Sequence, residues 1–121
     1  MLTTYLGIFG THLRARKMDR KKREAFLNLM KKMSKKGSYD ILEYVSEKGS
    51  LHYGEIMSFA LDNHVVQSRA TVTLVVRNLS KLGLLKRTVI DSRPVRTVYE
   101  HTENGQKVLK HFQEMEKLSF Q

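Results

Sequence analysis

Arg69, Thr71, Thr73 and Arg77 recur along one stretch of the chain at spacings that bring hydrogen-bonding side chains onto neighbouring parts of a helical surface. The chemistry this allows is recognition, not bond breaking. Guanidinium and hydroxyl groups can address base edges, and an apolar neighbour such as Leu74 suits a thymine methyl group. The stretch runs from Ser68, able to cap a helix start, to Gly83, able to end one. At about 100° per residue, Val72, Val75, Val76 and Leu79 fall on one face. Ala70, Leu74, Arg77 and Lys81 fall opposite, flanked by Thr73 and Asn78. An amphipathic surface helix without any ligand would show the same pattern, so the flanking elements have to decide.

Those elements are ordered. Leu85 to Ile90 and Val95 to Glu100 are β-rich runs around Asp91-Ser92-Arg93-Pro94, which reads as a hairpin with a turn cluster at its tip. Arg93 and Arg96 flank that tip, where cations can meet phosphates or enter a narrow minor groove; charged residues that merely keep a hairpin soluble are the alternative. Of Lys86 and Arg87, alternation turns one toward the body of the domain and leaves the other free.

A helix is expected from about Asp19 to Lys36, with Gly37 beyond its end. Its Phe26, Leu29, Met30 and Met33 have the spacing of a packing stripe on an otherwise basic surface. Ser38 or Asp40 starts the next, with Ile41, Leu42 and Val45 inward and Lys48-Gly49-Ser50 as the break. Leu51-His52-Tyr53 is a short extended link. From Tyr53 or Gly54 to about Leu61 a helix buries Ile56, Phe59 and Ala60, and Asp62 to Gln67 make a long turn. The last helix runs from Thr102, a good cap, to about Leu118, with Val108, Leu109, Phe112 and Met115 on one stripe. Residues 1–17 form an N-terminal arm in which Gly7 and Gly10 argue against a continuous helix.

With the elements in place, the run Thr71 to Arg87 resembles the recognition helix and first wing strand of MarR-type winged-helix transcription factors. The run Arg96 to Gly105 resembles the second wing strand and following helix start of the related HxlR-type regulators. The likeness covers roughly residues 37–118. One departure is His101, where these families carry Leu before the Thr-Glu-x-Gly element. The resemblance implies an α+β, mostly α, winged helix-turn-helix with added N-terminal and C-terminal helices, a brief strand near Leu51 that pairs with the wing, and dimerisation through the flanking helices.

Charge fits a polyanionic partner. The 121 residues carry a formal net charge of +10. Residues 14–36 hold 11 Lys or Arg against 2 acids and residues 69–96 hold 7 against 1, so two blocks contribute the whole excess. The first block, with Arg14 to Lys17 and Arg20 to Arg23, admits three uses: phosphate contact, an anionic membrane surface, or a solvated face beside a dimer contact. The absence of cysteine excludes disulfides, thiolate zinc sites and cysteine nucleophiles. The histidines show no HExxH and no close pair, no phosphate-binding Gly motif is present, and no Ser, His and acid constellation is recognisable, so neither an enzyme nor a metal or other cofactor is expected. The apolar opening, Met1 to Gly10, has no preceding positive residue and is too short to span a bilayer, so no membrane anchor and a cytoplasmic location are expected.

The reading is an arm at 1–17 and a single winged-helix domain at 18–121 that binds double-stranded DNA sequence-specifically as a homodimer and regulates transcription. Its DNA-binding residues are Ser68, Arg69, Thr71, Thr73, Leu74, Arg77, Lys81, Arg87, Arg93 and Arg96. The dimerisation residues are Phe26, Leu29, Met30, Met33, Phe112 and Met115. A nonspecific chromatin-like DNA coater and a winged-helix protein-interaction module are the alternatives. The interaction module fits poorly with a chain that keeps four arginines on the reading face and wing. Operator, sign of regulation and small-molecule effector stay open.

Overall fold

The computed structural model describes residues 19–119, so the N-terminal arm and its Arg14 to Lys17 cluster lie outside the described residues. The elements in chain order are α1 (Arg20–Met33), α2 (Ser38–Lys48), β1 (Ser50–His52), α3 (Tyr53–Asp62), α4 (Arg69–Lys81), β2 (Leu85–Ile90), β3 (Arg96–His101) and α5 (Glu103–Leu118). A boundary between Lys31 and Lys32 separates two units.

On the first side lies most of α1, an open basic surface with exposed ion pairs Arg20 to Glu24 and Lys22 to Asp19. Phe26 is 54% exposed, and Leu29 and Met30 are half-buried. The helix ends at Met33, three residues earlier than its basic run suggests. Lys35 N–H turns back to the Lys32 carbonyl at 3.3 Å, and the Ser38 hydroxyl donates to that same carbonyl at 3.0 Å. With that acceptor taken by a turn, the helical ladder stops. Ser38 is thus the first residue of α2 without capping it by its side chain.

Beyond the boundary, α2, α3 and α4 close on one core. Ile41, Leu42 and Val45 of α2, Ile56 and Ala60 of α3, and Val72 of α4 are fully buried, joined by Val75, Val76 and Leu79 at 1% exposure each. These are the i, i+3, i+4 positions that each sequence pattern assigns to the inside, except that Phe59 of α3, expected there too, is only half-buried. Met33, expected on a dimer stripe, is 5% exposed within its own chain. The long turn before α4 is held by Val66, buried to 2%, and Phe59 stacks on Tyr44 with centroids 3.8 Å apart.

The sheet is antiparallel in the order β1-β3-β2. β1 pairs Leu51 with Tyr99, as the brief strand implied by the resemblance should, and Tyr53 leaves the extended link to open α3. β2 and β3 pair from Leu85 opposite His101 to Ile90 opposite Arg96, so β3 lies one residue later than Val95 to Glu100. His101 is half-buried at the end of that ladder and its Nδ1 meets Gln106 Nε2 at 2.8 Å, while Val98 and Tyr99 supply the buried positions.

The foot of the hairpin is pinned by Thr102. Its hydroxyl accepts from Gly105 N–H at 2.9 Å, capping α5, and donates to the Gly83 carbonyl at 2.7 Å just past α4. The Leu84 carbonyl packs against Gly105 so closely that an added Cβ would stand 2.1 Å from its oxygen. Backbone cannot swing aside as a flexible side chain can. Gly105→Ala is therefore expected to cost about 1–3 kcal/mol, the usual scale for overpacking, and a lower denaturant midpoint in chemical unfolding is the check.

Candidate nucleic-acid interface

Helix α4 presents the side chains that the sequence assigns to recognition, because its valine face fixes its rotation. Leu74 is 42% exposed, and Arg69, Ala70, Arg77 and Lys81 are also exposed. Asn78 departs from the pattern: placed beside the free face by the helical wheel, it is 7% exposed and its amide nitrogen has no hydrogen-bond partner among the described residues. The packed face of α4 extends one position further around than the aliphatic residues alone indicate.

At the start of α4 the Ser68 hydroxyl accepts from Thr71 N–H at 3.2 Å and lies 2.9 Å from the Thr71 hydroxyl. Ser68 thereby satisfies one of the free N–H groups of the first turn. Thr73 is engaged too, its hydroxyl donating to the Arg69 carbonyl at 3.1 Å and paired with the hydroxyl of Tyr53.

Between α4 and the hairpin lies a cleft of about 740 Å³. One wall is Arg77, Ser80 and Lys81 of α4; the other is Arg87, Thr97 and Tyr99 of the sheet; Tyr53 and Thr73 lie where the walls meet. Arg87 sits opposite Tyr99 and Val89 opposite Thr97, so these residues share the sheet face turned to α4. Lys86, one residue out of phase, pairs across with Glu100.

The structure thus brings together Thr73, Arg77, Lys81 and Arg87 around one cleft, and leaves Arg69, Thr71 and Leu74 on the part of α4 outside its lining. Arg93 and Arg96 are exposed near the hairpin tip, beside Val89, Ile90 and Val95 at 50%, 41% and 63% exposure. Sequence reasoning misses Tyr53, Ser80, Thr97 and Tyr99 as residues of the site. The alternation of Thr97 and Tyr99 along β3 holds the signal for two of them. Tyr53 carries none, since its role depends on α3 bringing it to Thr73.

None of Arg69, Arg77, Lys81, Lys86, Arg87, Arg93 and Arg96 takes part in an ion pair among the described residues. Helix α4 contains no acid, and Asp91 is the one acid from β2 through the hairpin tip. A group of unpaired cations on adjoining elements, with hydroxyls between, is suited to a polyanion. No described group of His, Asp or Glu is arranged to hold a metal ion, and no described helix is long and apolar enough to cross a membrane.

Comparison with known proteins agrees with this geometry. The family model of HxlR-like helix-turn-helix proteins matches residues 33–121. Among solved structures, the chain is similar to the reduced form of the transcriptional regulator YodB from B. subtilis, with 24% identity, coverage of 80% of this chain and 86% of that one, and a TM-score of 0.59. It is also similar to a MarR-family regulator from Enterococcus faecalis (19% identity, 82% and 84% coverage, TM-score 0.63). A PadR-family regulator from Eggerthella lenta is likewise similar (14% identity, 98% and 89% coverage, TM-score 0.59). At these identities the structures establish the winged helix-turn-helix fold. A comparison with curated proteins finds no match.

The cap of α4 gives a direct test of how the helix start is held. Ser68→Ala is expected to lower stability by about 1 kcal/mol and Ser68→Asp to keep most of it, since a carboxylate accepts the same N–H; thermal unfolding of both variants reads the difference.

Proposed function

The chain belongs to the HxlR-like helix-turn-helix family of transcriptional regulators, and from that premise we propose that it is a cytoplasmic homodimer that binds double-stranded DNA sequence-specifically. The observation that carries the reading is the row of unpaired cations continuing from α4 onto the hairpin. In this reading α4 enters the major groove, with Arg69, Thr71, Leu74 and Arg77 toward base edges, and Ser68 holds the helix start close to the backbone. The hairpin is the wing, and Arg93 and Arg96 meet phosphates or the minor groove beside it.

The dimer is supported by apolar side chains left open on the flanking helices. Phe26 and Leu27 of α1 are 54% and 56% exposed, and Met115 and Leu118 of α5 are 50% and 66% exposed. Large apolar groups left exposed on a helix are a common mark of an interface. Phe112 contributes less than its place on the stripe suggests, being half-buried with its ring 6.2 Å from that of Tyr39. Around that ring, burial and then the carboxylates of Glu116, Glu43 and Asp40 hold the Tyr39 phenol above its ordinary range, so it stays neutral. Two copies related by a two-fold axis would present their α4 helices to half-sites about one DNA turn apart, roughly 34–36 Å.

Nonspecific coating of DNA is the second reading, favoured by the basic charge of residues 14–36. The two separate on discrimination between sequences. Arg77→Ala is expected to weaken binding to a selected site by about 1–3 kcal/mol and binding to random DNA by less; equal losses in a titration would reduce Arg77 to a phosphate contact. The wing supplies affinity with little discrimination. Every phosphate that the protein ceases to neutralise flattens the slope of log affinity against log salt by about 0.9, so Arg93→Ala with Arg96→Ala is expected to reduce it by roughly 2 per protomer engaged while sequence ranking survives.

A further inference from the structure

The cleft between α4 and the wing is larger than a DNA phosphate needs. A volume of about 740 Å³ falls in the range of small-molecule sites, about 300–1,000 Å³. Its charged lining is all of one sign: Arg77, Lys81 and Arg87, with no carboxylate among the lining residues. Each of the three lacks an ion-pair partner among the described residues. Holding three like charges around one recess raises its potential, and an entering anion relieves that repulsion.

Hydrogen bonding narrows the ligand further. The Ser80 hydroxyl donates to the Val76 carbonyl at 2.8 Å and the Thr73 hydroxyl to the Arg69 carbonyl at 3.1 Å. With the Thr73 proton committed there, the Tyr53 hydroxyl is the donor in their pair, and the Tyr53 oxygen keeps acceptor capacity. The donors left for an anion are therefore the two guanidinium groups, the Lys81 ammonium and Thr97. The guanidinium fork suits carboxylates and phosphates alike, but three cations suit the dianion of a phosphomonoester better than a singly charged carboxylate or phosphodiester. The remaining space and the free acceptor on Tyr53 suit a hydroxyl-bearing body, as in a sugar phosphate.

We infer that this cleft binds a small phosphomonoester carrying hydroxyl groups, and that such a ligand and DNA exclude each other because Arg77, which the DNA-binding reading directs at base edges, also lines the cleft. The exclusion, unlike the site itself, rests on the DNA-binding reading given above. A phosphate of the DNA backbone and a free phosphate ligand share the chemistry of the site, and size and charge separate them.

The test is a titration of the full-length protein with ribose 5-phosphate, followed by amide and side-chain NMR at constant ionic strength, with ribose and sulfate as controls. Saturable shifts centred on Arg77, Arg87 and Thr97 are expected, along with weakening of about ten-fold or more in Arg87→Gln. Lys110→Ala, on α5 and outside the cleft, is expected to leave them unchanged. Ribose 5-phosphate should also displace a labelled DNA duplex competitively. Shifts that sulfate reproduces in full, or that spread equally over the wing tip, would overturn the site. DNA binding without any saturable response to ribose 5-phosphate would overturn it and leave the regulator reading standing. Saturable binding of ribose 5-phosphate by a protein that binds no DNA would support the site and overturn the regulator reading instead.

Discussion

Rotation of α4 about its own axis sets what the molecule can touch, and that rotation is fixed by burial of Val72, Val75, Val76 and Leu79 against α2 and α3. Full burial of a valine or leucine is worth about 1.5–3 kcal/mol, so the four together supply on the order of 6–12 kcal/mol before the cost of ordering the chain. Turning the helix by one residue, about 100°, would expose part of that surface and swing Arg77 and Lys81 toward apolar side chains, where an unpaired charge is heavily penalised. The exposed face of the helix is thus held from behind. Its cations can stay unpaired because the valines, and not the cations, fix the helix.

The wing depends on the same helix through its end. Gly83 takes a φ of 76° and turns the chain from α4 into β2, and the Thr102 hydroxyl ties the Gly83 carbonyl to the first turn of α5. At the other edge, β1 carries the strand pairing back to the α2–α3 junction, where His101 N–H donates to the Gly49 carbonyl at 3.0 Å. Both strands of the wing are therefore anchored at the foot, while among the described residues the tip beyond β1 is held by the β2–β3 ladder and by its own turn, where Ser92 N–H donates to the Ile90 carbonyl at 2.9 Å and the Ser92 hydroxyl to the Pro94 carbonyl at 2.7 Å. A stiff base with a freer tip suits the proposed role, in which Arg87 stays beside α4 while Arg93 and Arg96 adapt to a DNA backbone.

Much of this is legible in the sequence, because local rules and tertiary packing agree. Ser68, Gly83 and Thr102 mark ends that capping and turn preferences predict, and the buried positions of α2 and α4 follow helical periodicity. What escapes lies where a distant residue intervenes. The Ser38 hydroxyl takes the Lys32 carbonyl and ends α1 early, Met33 is buried within its own chain, and Asn78 is buried although a helical wheel sets it beside the free face. The cleft itself is built from three stretches separated in sequence, α3, α4 and the sheet, so no single run of residues announces it. Local signals locate its arginines, and strand alternation could have found Thr97 and Tyr99; only the fold shows Tyr53 beside them.

The central claim is that α4 and the wing together read DNA as half of a two-fold assembly. Incubating the full-length protein with fragmented genomic DNA and sequencing what it retains tests this most directly. The account predicts enrichment of a dyad-symmetric motif with half-sites about one helical turn apart. Retention of all fragments alike, or of none, would contradict it.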